Sequence, residues 1–224
     1  MVLKELLSFW HDEGPLKEII QDFDEMLMIS KDMFERATIS LTGQAVAENL
    51  RDDLVKMDKK LNALQQSIRR DIVTHIALQG TSDIIPCMLL ISLIKDVERI
   101  GDYCKNFEEV ARYSTTLSKD PLLPDLVDMR SKILIWFEQT KRAFDRKDKE
   151  LARATREESY LHEKACDRLV WDLVKLNDGR NKVSVALALR YFKRIVAHLG
   201  NVCTSVIMPF DKLDYYEASL LQKK

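Results

Sequence analysis

Apolar residues in this chain recur at alternating three- and four-residue steps over long runs, the period at which one stripe of an α-helix turns inward. Leu50, Leu54, Met57, Leu61, Leu64, Ile68, Ile72 and His75 make the clearest stripe, with Arg51, Asp52, Lys56, Lys59, Lys60, Arg69 and Arg70 between them as a solvated face. Gln79-Gly80-Thr81-Ser82 breaks the pattern, Gly80 serving as C-cap and Ser82 or Asp83 as the next N-cap. A second helix takes up the period with Leu90, Leu93, Ile94, Val97, Ile100, Cys104, Phe107 and Val110 and ends near Ser114. Upstream, Ile19, Ile20, Phe23, Met26, Leu27, Met33, Phe34 and Ala37 give a helix from about Pro15 to Ser40, closed by Thr42-Gly43. Three long helices joined by short connections fold as an up-down-up bundle.

The same order then recurs. Leu117 to Pro124, with Asp120-Pro121 and Leu123-Pro124, marks a boundary that divides the chain into 1–118 and 119–224. Beyond it, Asp125 is placed to cap a helix to about Arg146 whose apolar set is Leu126, Met129, Ile133, Trp136, Phe137 and Phe144. Lys149 to Leu176 follows with Leu161, Leu169, Val170 and Leu173 inward, and Asn177-Asp178-Gly179 is a turn. Val183 to Ile207 closes the set with Phe192, Ile195, Leu199, Val202 and Val206, stopped by Pro209. The expected fold is all-α, with two tandem three-helix bundles and six long helices in all.

Local similarity supports a duplication. Val97-Glu98-Arg99-Ile100-Gly101-Asp102 lies on Phe192-Lys193-Arg194-Ile195-Val196-Ala197, and each run is followed at the same offset by an asparagine, Asn106 or Asn201. The copies differ in chemistry: Glu98 and Asp102 stand four apart in the first, Lys193 and Ala197 in the second.

Composition narrows the function classes. Thirty-five Lys and Arg against thirty-six Asp and Glu leave net charge −1, which argues against generic polyanion binding and so against nucleic acid as a partner. A hydrophobic fraction of 46% over 224 residues supplies a sizeable core. The longest apolar run, Ile84 to Ile94, is interrupted by Pro86 and Ser92 and is too short to span a bilayer. Met1-Val2-Leu3-Lys4-Glu5 lacks the order of a secretory signal, so a cytoplasmic location is expected. Cys87, Cys104, Cys166 and Cys203 are isolated within helical patterns and are expected as buried free thiols.

The run Lys95-Asp96-Val97-Glu98-Arg99-Ile100-Gly101-Asp102-Tyr103-Cys104-Lys105-Asn106 resembles the signature helix of the PhoU family of bacterial phosphate-uptake regulators. So does the duplication, and the resemblance extends from about Leu16 to Asp214. It implies a regulator acting by protein–protein binding, with the cytoplasmic face of a phosphate ABC transporter and a membrane sensor histidine kinase as partners. Membrane association would then be peripheral and through those partners, and monomer and homodimer both stay open. It also implies iron or zinc at the acidic motif.

Residues four apart on a helix share a face, so Glu98 and Asp102 can offer oxygens to one cation, and carboxylates suit hard or borderline divalent ions. On the neighbouring helix the matching pair is Asp58 and Asn62, where Asn62 stands in place of the family's second carboxylate. These four residues are the candidate metal site. The alternative is a solvated face on which Glu98 and Asp102 pair with Arg99, Lys105 or Lys95, at ~0.3 kcal/mol per contact. In the second half Glu158 and His162 are the corresponding positions, and Lys193 would oppose a metal's charge there. His75 reads as a satisfied core histidine, and His162 and His198 as hydrogen-bonding groups rather than ligands. Arg99 and Arg194 read as structural pairing groups for acidic residues of the other bundle, Met26, Met28, Met33 and Met57 as core, and Met208 to Glu217 as packing across the bundle end. Neither a nucleophile elbow nor a phosphate-cradling loop is present, and a di-iron oxidase would need Glu-x-x-His pairs, which the spacing of Glu158 and His162 does not supply. A binding protein is therefore expected rather than an enzyme, with an adaptor for another transporter as the alternative and a carboxylate-bridged metal enzyme behind it.

Overall fold

The computed structural model describes residues 16–42, 44–114, 117–176, 182–213 and 215. Among them lie six α-helices: α1 (Leu16–Ala37), α2 (Leu50–Gln79), α3 (Ile84–Tyr113), α4 (Leu123–Arg146), α5 (Lys149–Lys175) and α6 (Val183–Ile207). Short 3-10 turns at Ile39–Thr42, Leu117–Lys119 and Phe210–Lys212 complete the described elements. No helix among the described residues is long and apolar enough to cross a membrane.

Local chemistry sets most of the ends. Gly80 takes φ 75° and donates its N–H to the Ile76 carbonyl, a conformation that suits glycine at a helix stop. Asp83 stands at the N-cap of α3 but makes no capping bond; its carboxylate lies 2.7 Å from His75 Nε2 instead. Asp148 caps α5 by accepting from the Leu151 N–H at 2.9 Å. α4 starts before the expected cap: Leu122 is its N-cap, Pro124 lies in the first turn, and Asp125 sits beside it, where a negative charge favours the helix dipole.

Each triplet packs on itself, α1 with α2 and α3, α4 and α5 with α6, and the triplets meet where α3 lies along α6 and α1 along α4. One continuous apolar core crosses that junction. Phe192 of α6 stacks on Phe107 of α3 at 5.2 Å between centroids and lies 5.6 Å from Phe34 of α1. Phe34 also reaches Phe137 of α4, and Phe23 of α1 meets Phe144 of α4. Rings of this size fully buried at the seam dominate its apolar contribution.

Two expectations change. Leu161 is outward, 70% exposed, because the inward face of α5 is formed by Ala152, Thr155, Arg156, Ser159, His162 and Cys166. Met28 is also exposed, whereas Met26 and Met33 are fully buried. The four cysteines are free and buried, and desolvation pushes each thiol up, Cys87 to about 11. At the C-terminal end Leu213 is buried and its carbonyl accepts from the Thr204 hydroxyl, so the segment packs over the bundle that far. Met1 to Glu5, Gly43, the turn Asn177-Asp178-Gly179, and Asp214, Tyr216 and Glu217 lie outside the described residues.

Candidate functional site

Gly101 fixes how closely α2 approaches α3. A Cβ there would lie 2.7 Å from Leu61 Cδ1 and 3.4 Å from Met33 Sδ, so the missing side chain serves packing within the first triplet rather than access by a ligand. That approach brings the acidic motif of α3 beside Asp58 and Asn62 of α2. Asp58 and Asn62 touch, Lys105 links Asp58 to Asp102, and Glu98 lies near enough to feel the charges of Asp58 and Asp102.

Between them stands a fifth. Lys105 Nζ lies 2.8 Å from Asp58 Oδ1 and 2.9 Å from Asp102 Oδ1, while Asn62 Nδ2 donates to Asp58 Oδ2 at 3.4 Å. Burial alone would pull the Lys105 ammonium down, but its hydrogen bonds to Asp58 and Asp102 outweigh burial and raise it. Glu98 is pushed up by desolvation, then by the charges of Asp102 and Asp58, with Arg99 and Lys105 opposing. The pairing alternative read from the sequence thus holds for Asp102 and Lys105, and Asp58 joins it from the next helix.

As arranged, these residues do not fit a resident metal ion. An ammonium occupies the space between the two aspartates where a cation would bridge them, and among the described residues no group of three or more His, Cys, Asp or Glu is disposed to hold a metal.

In the second half the structure assigns the motif to residues that the sequence reading passed over. Glu158 and His162 turn toward α4: Trp136 Nε1 donates to Glu158 Oε2 at 3.3 Å, and His162 meets the Trp136 ring edge-on at 5.0 Å. Burial, with Lys132 nearby, pushes His162 down to about 4. Glu163 and Asp167 face α6 instead. Lys193 Nζ donates to Asp167 Oδ1 at 2.6 Å, and Arg156 Nη1 donates to Glu163 Oε1 at 2.8 Å. Arg156 lies over Gly200, where a Cβ would come within 3.0 Å of its Cζ. The available signal was the four-residue spacing of Glu163 and Asp167, the same as that of Asp58 and Asn62.

Polar residues also bridge the halves. His198 Nδ1 donates to Asp96 Oδ1 at 2.7 Å, Asn201 Nδ2 donates to the same oxygen at 3.1 Å, and Tyr103 stacks on the His198 ring at 5.8 Å. Arg194 Nε donates to the Tyr103 hydroxyl at 3.1 Å, a cross-half contact of the expected kind but to a phenol rather than a carboxylate. His75 is buried with Nε2 against Asp83, as expected of a core histidine, but its Nδ1 is left without a hydrogen-bond partner.

Similarity to known proteins bears on the family and the fold. Residues 23–111 match the family described as PhoU domain. A phosphate-specific transport system accessory protein PhoU homolog from Synechocystis is 23% identical over 203 residues, covering 87% of this chain and 88% of that protein. The fold matches the phosphate transport system regulatory protein PhoU from Streptococcus pneumoniae with TM-score 0.75 at 16% identity, over 90% of this chain and 96% of that one. PhoU from Pseudomonas aeruginosa matches with TM-score 0.74 at 20% identity, over 89% and 96%.

Proposed function

We propose that this chain, a member of the PhoU family, is a cytoplasmic regulator of a phosphate transport system that acts by binding other proteins. The observation that carries this reading is the accessory role of its relatives in phosphate transport, joined to a fold that follows PhoU structures along nearly the whole chain. Its partners on this reading are the cytoplasmic face of a phosphate ABC transporter and a membrane sensor histidine kinase. A long helical surface suits such docking, because packed helices present a rigid face at little ordering cost. The residues described supply binding surfaces, and no reaction is assigned to them.

The test is genetic and biochemical. Disruption of the gene is expected to raise expression of a phosphate-starvation reporter in phosphate-replete cells, and the tagged chain is expected to co-purify with transporter subunits from detergent-solubilised membranes. A silent reporter together with no co-purification would sink the reading, and co-purification with a transporter for another solute would favour the adaptor alternative.

A further inference from the structure

Each half of the molecule gathers carboxylates between its second and third helices, and in each half a cation from the chain itself stands among them. Lys105 of α3 spans Asp58 of α2 and Asp102 of α3, at 2.8 and 2.9 Å. Lys193 of α6 reaches Asp167 of α5 at 2.6 Å, and Arg156 reaches Glu163 at 2.8 Å. We propose that these side chains are the resident counter-ions of the two acidic faces, Lys105 tying α2 to α3 and Lys193 tying α5 to α6, in place of a divalent metal.

Space and charge both support this. A divalent ion bonded to Asp58 and Asp102 at roughly 2.0–2.6 Å would occupy nearly the position that Lys105 Nζ holds. A positive charge a few ångströms away opposes a second one, so metal entry requires the ammonium to leave. The carboxylates of Asp58, Glu98 and Asp102 are themselves not disposed to share one ion. In the second face the cation is held harder. Arg156 is 5% exposed, packed over Gly200, and its guanidinium does not deprotonate in proteins, so that face stays closed to metal.

The experiment compares full-length wild type, Lys105→Gln, Lys105→Arg and the triple variant Lys105→Gln/Glu98→Ala/Asp102→Ala, stripped with chelator, equilibrated with Mn²⁺ and desalted. Metal content is read by mass spectrometry and stability by thermal unfolding. Wild type and Lys105→Arg are expected to carry no stoichiometric Mn²⁺ and to melt at the same temperature in chelator and in Mn²⁺. Lys105→Gln is expected to melt roughly 2–4 °C lower than wild type, in chelator and in Mn²⁺ alike, and to retain no stoichiometric ion. The triple variant should likewise hold no ion. Wild type that holds one Mn²⁺ per chain, lost on Glu98→Ala/Asp102→Ala, would overturn the proposal. So would Lys105→Gln that melts at the wild-type temperature in chelator. Either result leaves the transport-regulator reading untouched, since that is tested in cells.

Discussion

His198 of α6 donates to Asp96 of α3 across 2.7 Å at the junction of the two halves, with both side chains largely removed from water. Asn201 bonds the same Asp96 oxygen, and Tyr103 covers the imidazole face. A charge-assisted bond in such a place is expensive to leave half-made, so Asp96→Ala and His198→Ala are each expected to cost about 1–3 kcal/mol. Urea unfolding of both singles and the double variant should give a coupling of at least ~0.5 kcal/mol. Strict additivity would mean that the two side chains do not work as a pair.

Phe192 links the halves through the core, stacking on Phe107 and touching Phe34. Phe192→Ala should cost about 3–5 kcal/mol. Because the ring packs against both triplets, circular dichroism and tryptophan fluorescence are expected to report one shared, earlier transition. Two separated transitions in the wild type would contradict a common core.

The two glycines of the last helices should respond differently. Gly101→Ala gains ~1 kcal/mol of helix propensity but drives a methyl into Leu61 at 2.7 Å, inside a fully buried site, at about 1–3 kcal/mol. A net loss in Tm is expected. At Gly200 the nearest atoms are those of Arg156 at 3.0 Å, which need to shift by only a few tenths of an ångström, so the two terms roughly cancel. Thermal unfolding of both variants separates the cases.

A buried group and a half-buried one give opposite slopes of stability against pH. His162, pushed down to about 4 mainly by burial, stays neutral in the fold while the unfolded chain binds a proton below the ordinary 6.5. Its contribution, on the order of 3 kcal/mol, is present above 6.5 and is lost as pH falls toward 4. Asp24, raised to about 6 by burial and by Asp145, with Lys141 opposing, binds its proton more tightly in the fold, so its contribution is present below 3.8 and is lost as pH rises toward 6. Urea midpoints across pH 4 to 7 should therefore flatten on the acid side in His162→Gln and steepen there in Asp24→Asn. Unchanged profiles in both would refute these assignments.

Much of this was legible from periodicity. The stripe from Leu50 to His75 and the break at Gly80 mark α2 and its end, and Val183 to Ile207 matches α6. α5 was harder to read, since its inward face carries Thr155, Arg156, Ser159 and His162 while Leu161, Trp171 and Val174 point outward. Hydrophobic period identifies the buried stripe only where that stripe is apolar. The Asp58, Asn62, Glu98 and Asp102 cluster was also legible, from i,i+4 spacing on two neighbouring helices. Glu163 and Asp167 were missed because Glu158 and His162 share that spacing on a different face of the same helix.

The sequence by itself determined the helices, their breaks and the doubled plan, because each depends on residues within a few turns of one another. Tertiary structure decided the rest: that Lys105 stands between Asp58 and Asp102, that Lys193 meets Asp167, and that His198 meets Asp96. Spacing along a helix fixes which residues share a face, but the rotation and axial offset of two helices come from packing, as Leu61 against Gly101 and Phe192 against Phe107 show. A shift of one helical turn between α2 and α3 would keep every stripe inward and give each carboxylate a different neighbour.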